Sequence, residues 1–293
     1  MSSRCGRQRV VLYICATPIG NLQDVTLRVL EALRSCDVVA CEDTRHTRIL
    51  LDRHGISARL LSFHGHNEEQ RLSQITSLLA EGKNVAVVSD AGMPGVSDPG
   101  FSLVRACVAQ GLEVTVLPGP SAVSTALVLS GLPCDRFAFV GFLARARGKM
   151  IEQISAFEGT GAALVAFESP RRLRASLQIL AERWPERQMA VCRELTKVHE
   201  EAVRGTAAEI LTQLADPVRG EIVLVLEVSP AAATGGELAG APVGDIETRA
   251  RAALVELEAS GVRTKTAAAV VAQLTGLPAR RAYELALEAR GAR

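Results

Sequence analysis

Aromatic residues are scarce in this chain of 293 residues, at 3% of the sequence against 48% for all hydrophobic residues. A core built from Val, Leu, Ile and Ala suits packed α/β layers and argues against an aromatic-rich β-sandwich. Charge of one sign is also lacking. With a formal net charge of +1, any attraction to nucleic acid has to come from local basic clusters. The cysteines at 5, 15, 36, 41, 107, 134 and 192 form no C-x-x-C pair and have no histidine at metal-ligand spacing. That excludes a zinc module, leaves no metal site to expect, and points to a reduced, cytoplasmic protein. No apolar run approaches the ~18 residues that span a bilayer. The opening SRCGRQRVVLYICA imitates a signal peptide only faintly, so no membrane partner is expected. No G-x-G-x-x-G follows the first apolar run, which disfavours the usual dinucleotide-binding fold.

The richest stretch is Val85 to Gly100. Residues 85–88 are consecutive apolar residues, too few for a helix, as expected of a strand buried on both faces of a parallel sheet. The loop SDAGMPGVSDPG follows at its carboxyl end, the edge where open α/β sheets bind ligands. Its glycines permit unusual backbone conformations, Pro94 and Pro99 stiffen it, and Asp90 and Asp98 place two carboxylates in it. Two other strand-to-helix loops share this character. TPIGNL (Thr17 to Leu22) follows a strand at 10–16, and Pro118-Gly119-Pro120-Ser121 follows one at 112–117, with Ser121 a natural N-cap for a helix over 122–130. After a strand at 38–41, Glu42 to Arg48 (EDTRHTR) holds a dense run of ionisable side chains. After a strand at 60–63 come His64, His66, Asn67 and Glu68, with Asn67 and Gln70 at the spacing of a capping box.

The β-α rhythm, repeated about five times with short connections, predicts a doubly wound α/β domain over residues 1–118. More widely spaced strands at 137–141, 162–167, 188–192 and 222–228, the last partly antiparallel in character, predict a second α/β domain with a mixed sheet over 119–229. Residues 230–244 are Ala/Gly/Pro-rich and read as a linker. A small C-terminal helical module follows at 245–293, with helices at 247–259, 264–274 and 278–289. The last two have the length of a helix-turn-helix; an ordinary αα-hairpin competes with that reading, because no strongly basic recognition face is present.

Taken together and in order, TPIGNL, EDTRHT, HNE (66–68), SDAGMPGVSDPG, LPGPSA (117–122), GFL (141–143), ESPRRL (168–173), RELTKVHEE (193–201) and GEIVLVLE (220–227) resemble the ribosomal RNA small subunit methyltransferase I family. These are cytidine 2′-O-methyltransferases of 16S rRNA within the tetrapyrrole methylase superfamily. The resemblance implies a two-domain tetrapyrrole-methylase-like fold, S-adenosylmethionine in the cleft between the domains, a homodimer, and 16S rRNA or the small ribosomal subunit as partner. Met93 stands where relatives usually carry Thr.

Methyl transfer from a sulfonium is an in-line displacement in which the protein mainly holds the reactants in near-attack geometry. The cofactor contacts so assigned are Pro18, Asp90, Ala91, Gly92, Met93, Val96, Ser97, Ser121 and Ala122, with Glu168 and Arg193 from the second domain; a surface ion pair is the alternative for the last two. A ribose hydroxyl is a poor nucleophile at neutral pH, so a base is expected among Glu42, Asp43, His66 and Glu68, none of which the sequence singles out. Helix capping competes as a role for Asp43 and Asn67. Arg45, Arg48, Asn67, Arg145, Arg147, Lys149, Arg171 and Arg172 are the RNA-contact candidates, against a merely solvated basic face. Two rivals remain. One is a methyltransferase of the same fold acting on a tetrapyrrole-like small molecule, and the other is a DNA-binding regulator using the C-terminal helices.

Overall fold

The computed structural model describes residues 10–65, 67–228, 243–275 and 277–291. Residues 10–227 carry two five-stranded sheets. The first is built from β1 (Val11–Cys15), α1 (Leu27–Ser35), β2 (Val38–Cys41), α2 (Thr44–Arg53), β3 (Leu60–Ser62), α3 (Glu68–Ala80), β4 (Val85–Val88), α4 (Phe101–Ala109) and β5 (Glu113–Leu117). Its order is β3-β2-β4-β1-β5 and every pair is parallel. Alternation along the strands divides the core. Leu12, Ile14, Val85 and Val87 pack with Ile75, Leu79, Leu103 and Cys107 of α3 and α4. Cys15, Val39, Cys41, Ala86 and Val88 pack with Val29, Leu33, Leu50 and Leu51 of α1 and α2. A strand with both faces covered reads as an unbroken apolar run, which explains VAVV.

The second sheet comprises α5 (Ala122–Ser130), β6 (Phe137–Phe142), α6 (Arg147–Ser155), β7 (Ala163–Glu168), α7 (Pro170–Arg183), β8 (Gln188–Arg193), β9 (Glu201–Thr206), α8 (Ala207–Gln213) and β10 (Ile222–Leu226). Its order is β6-β7-β10-β8-β9. Only β6 and β7 run parallel; β10 lies antiparallel between β7 and β8, so the sheet is mixed, as expected. On one face Leu173, Leu177 and Leu180 of α7, at i, i+4 and i+7, are fully buried. Each contributes about 1.5–3 kcal/mol relative to exposure. On the other face Val165, Ala190, Val223 and Val225 meet Ala126 and Leu127 of α5, together with Ile19 from the loop after β1.

The hairpin strand β9 went unread in the sequence, which placed a loop over 193–201. EAVRGT is an edge strand that buries only Val203, so it lacks the apolar run that betrays a central strand. The capping box expected at Asn67 is also absent. Its side chain accepts from His64 N at 2.9 Å and donates to Ser62 O at 3.3 Å, closing a turn rather than capping α3.

Residues 243–291 form a separate helical unit of α9 (Val243–Ala259), α10 (Thr264–Thr275) and α11 (Ala279–Gly291) around Ala250, Leu254, Ala267, Val271 and Leu285. The first of these helices opens at Val243 rather than Glu247. Linker residues 229–242 lie outside the described residues. On α11, Arg281 is clamped by Glu247 at 2.6 Å and Arg280 pairs with Glu284 at 3.1 Å. Arg281 is thus engaged within the module by Glu247, Glu284 and Glu288, as suits an αα-hairpin.

Candidate functional site

The loop after β4 folds tightly. Gly92, at φ +78, exchanges backbone hydrogen bonds with Thr17 (2.8 and 3.1 Å), tying this loop to the one after β1. Gly95 N donates to Pro99 O at 3.1 Å, and Ser97 sits at φ +64, a conformation costly for a residue with a Cβ. The loop's far end is held by Glu68, whose Oε1 accepts from Gly100 N at 3.3 Å and from the Ser102 hydroxyl at the start of α4. Glu68 therefore fastens the loop.

Against this loop lies a cavity of about 370 Å³. Ile19, Ala91 to Met93 and Val96 to Asp98 line one side, with Ser121 to Val123 at the start of α5. The other side is Phe142, Phe167 to Pro170 and Gly220 to Val223 of the second sheet. The cavity so gathers Ala91, Gly92, Met93, Val96, Ser97, Ser121, Ala122 and Glu168 from the residues expected on sequence grounds. Pro18, Asp90 and Arg193 are not in its wall. Asp90 instead accepts from Asp43 N at 3.1 Å, and Arg193 is held by Glu201 at 2.8 Å and by Arg219 O, the ion-pair alternative. Sequence reasoning did not assign Ile19, Asp98, Phe142, Phe167 or the 220–223 wall to the cofactor site, although all but Phe167 stand within motifs it had singled out.

Glu168 is 2% exposed and fully partnered: Ser169 N at 2.6 Å, Ser176 Oγ at 2.5 Å and Arg172 Nη2 at 3.2 Å. The same guanidinium donates to Leu143 O at 2.8 Å and Ala144 O at 3.1 Å. Arg172 is thus an internal clamp, and the Asn67 amide closes the turn described above. Arg147 pairs with Glu182 at 2.6 Å. Arg145, Lys149 and Arg171 are exposed.

The four base candidates separate. His66 lies outside the described residues. Asp43 caps α2, accepting from Arg45 N at 2.8 Å, and this bond holds its carboxyl below the usual range. Glu68 is committed to the loop. Glu42 is half-buried at the end of β2, where burial and then the charges of Asp90 and Asp98 push its carboxyl up. Asp98, on the cavity wall, is also raised by burial, with Asp90 adding to the shift and the Ser89 hydroxyl opposing it. Asp90 and Asp98 are thus near enough to Glu42 to act on its charge.

A brace spans the two sheets. In the turn between β8 and β9, Glu194 and Thr196 have left-handed backbones, φ 52 and 65. Thr196 Oγ1 accepts from Asn21 N at 3.1 Å, while Lys197 Nζ bonds Glu194 Oε1 and Glu221 Oε2, both at 2.9 Å. Glu221 N donates to Glu194 Oε1 at 3.0 Å. Burial works against the Lys197 charge, but the two glutamates raise its pKa, and its hydrogen bond lowers that of Glu194. The turn thereby fixes the Gly20-Asn21 loop on one side and the Gly220-Glu221 cavity wall on the other.

Two sheets meeting at a cavity lined by Gly/Pro loops define the class: the family model of the Tetrapyrrole (Corrin/Porphyrin) Methylases matches residues 11–211. Among solved structures, uroporphyrin-III-C-methyltransferase from Thermus thermophilus superposes with a TM-score of 0.55 at 22% identity, covering 78% of this chain and 98% of that one. Diphthine synthase does so with a TM-score of 0.59 at 14% identity, covering 78% and 94%. In sequence, the chain is 43% identical over 280 residues to the Ribosomal RNA small subunit methyltransferase I of Mesorhizobium japonicum, covering 94% of this chain and 91% of that protein. It is 41% identical to the Escherichia coli O157:H7 protein of that name, covering 96% of each. The Thermotoga maritima protein of the same name matches at 43% over 217 residues, 73% of this chain and 97% of its own length. The chain belongs to the ribosomal RNA small subunit methyltransferase I family and is a methyltransferase.

Proposed function

We propose that this enzyme transfers a methyl group from S-adenosylmethionine to the ribose 2′-hydroxyl of a cytidine in 16S rRNA of the small ribosomal subunit. The observation that carries the reading is the cavity. Its volume falls in the range of ligand pockets, roughly 300–1,000 Å³. Apolar side chains from both sheets (Ile19, Met93, Val96, Phe142, Phe167) suit a purine and a thioether-like chain, and the Asp98 carboxylate suits a positive sulfonium. Met93 fits such a wall through its polarisable sulfur. When bound, S-adenosylmethionine supplies an electrophilic methyl group.

The chain's own residues do the rest. The Gly92 to Ser97 loop and the start of α5 position the donor, with Glu168 fixing the opposite wall through Arg172 and Ser176. Glu42, raised by burial and neighbouring carboxylates, takes the proton from the attacking hydroxyl, a role typically worth about 10²–10⁴ in rate. Two α/β domains, 1–118 and 119–229, carry the chemistry, since the Thermotoga relative is almost wholly matched by a stretch as long as this body. The reading includes a cytoplasmic homodimer, supported by the exposed apolar side chains Phe101 and Val108 of α4 and Val116 of the edge strand β5. No helix among the described residues is long and apolar enough to cross a membrane.

The test is methylation of 30S subunits and of deproteinised 16S rRNA with isotopically labelled S-adenosylmethionine, followed by nucleoside mapping. Label in 2′-O-methylcytidine is expected. Label on a nucleobase, or none on RNA with turnover of a tetrapyrrole, overturns the reading.

A further inference from the structure

A shallow trough of about 590 Å³ runs along the outside of the first sheet, lined by Thr44, Arg45 and Arg48 of α2 and by Ala58, Arg59 and Leu60 at the foot of β3. We infer that this trough is a track for the phosphate backbone of the substrate RNA, with Arg59 an anchoring residue beside Arg45 and Arg48. The inference rests on the proposed RNA substrate and adds where the strand lies outside the cavity.

Three observations support it. First, the cations are available. Arg48 and Arg59 are exposed and have no ion-pair partner among the described residues. Arg45, with a side chain 91% exposed, has Asp43, at 3.3 Å, as its one ion-pair partner among the described residues. An exposed pair of that kind is only weakly held, so a phosphate oxygen can replace the carboxylate. Asp52 is the other acid on α2, and it forms no ion pair with these arginines. On the second sheet Arg147, Arg172 and Arg193 are already bound to carboxylates, while Arg145, Lys149 and Arg171 are exposed but are not among the residues lining this trough.

Second, the spacing suits a chain of phosphates. Residues three apart on a helix put their Cβ atoms about 5–6 Å apart on one face, so Arg45 and Arg48 form a row that Arg59 extends beyond the helix. Guanidinium groups bind phosphate oxygens through paired N–H donors.

Third, the trough leads to the site. Its upper end is the first turn of α2, which follows Glu42 and Asp43 directly, and Asp43 N is bonded to Asp90 in the cofactor loop. A cavity of about 370 Å³ holds one small ligand, so a polymeric substrate has to lie outside it. Backbone contacts of this kind set register without reading sequence.

The test measures single-turnover methylation of 30S subunits over a series of KCl concentrations. The proteins are the full chain, Arg59→Gln, Arg48→Gln/Arg59→Gln, and Arg280→Gln in the helical unit as control. Binding of deproteinised 16S rRNA is measured beside it, with melting curves to confirm folding. Each trough arginine removed should lower the slope of log affinity against log salt by roughly 0.7, raise the KM for subunits and leave kcat and S-adenosylmethionine affinity unchanged. The control should match wild type. Unchanged slopes and KM in the double variant, with wild type active, overturn the track and spare the methyltransferase reading. A defect on subunits that is absent on deproteinised RNA also overturns it, because the trough then grips an acidic protein surface. A wild type that neither binds nor methylates rRNA removes both proposals.

Discussion

Gly20 is a tight joint of the brace. A Cβ added there stands 2.5 Å from Lys197 Cγ, 2.8 Å from Leu195 O and 2.8 Å from Thr196 Oγ1. One of these is a backbone atom and none is the far end of a flexible side chain, so Gly20→Ala must push the turn away. Overpacking of this sort costs about 1–3 kcal/mol. In a body of this size each kcal/mol lowers the melting midpoint by about 2–4 °C, so a drop of roughly 2–12 °C is expected. Cofactor binding should weaken as well, since Ile19 lines the cavity and Lys197 reaches Glu221 in the opposite wall. Losing about 1.4 kcal/mol there is a tenfold rise in Kd. Calorimetry reads the melting, and titration with S-adenosylmethionine reads the affinity. Gly148→Ala makes the comparison sharp: nothing lies within 4 Å of its Cβ, and the position is helical, so stability should rise by up to about 1 kcal/mol. If Gly20→Ala melts with wild type and binds S-adenosylmethionine unchanged, the turn does not hold the cavity walls.

Glu42→Gln should lower single-turnover methylation about 10²–10⁴-fold with cofactor affinity preserved, whereas Asp43→Asn, at the helix cap, should keep most of the rate. Because the Glu42 carboxyl must be ionised to accept a proton and its pKa is raised, the wild-type rate should fall as pH drops through a value above the ordinary carboxylate range; a flat profile in that region counts against Glu42. Arg172→Met strips Glu168 of its cation and should destabilise the enzyme by about 3–5 kcal/mol in urea unfolding. Adding Glu168→Gln should recover part of that loss, and a double variant no better than the single one contradicts the clamp.

Much of the fold was legible because the first sheet is buried on both faces: VVAC and VAVV announce central strands whatever surrounds them. Glycines and prolines punctuated the loops, and Ala91 to Met93, Val96 and Ser97 of the loop they marked line the cavity. What stayed hidden depends on partners distant in sequence. Arg172 looks like any surface cation until β7 and the 143–144 carbonyls surround it, and Asn67 looks like a cap until the turn at His64 claims its amide. β9 has no apolar signature of its own. Phe142 and Gly220 to Val223 reach the cavity only because the second sheet turns one face to the loops of the first, an arrangement that no local pattern encodes.

The joint between Gly20-Asn21 and Leu195 to Lys197 also bears on how such a chain can change over generations. Asn21 and Thr196 are 175 positions apart in sequence, yet they share one hydrogen bond. A side chain gained at position 20 survives only alongside a smaller or displaced turn, so single steps are closed and paired steps are open. The two stretches should therefore be inherited as a unit, and a chimera joining the first sheet of one relative to the second sheet of another should work only when both come from the same parent.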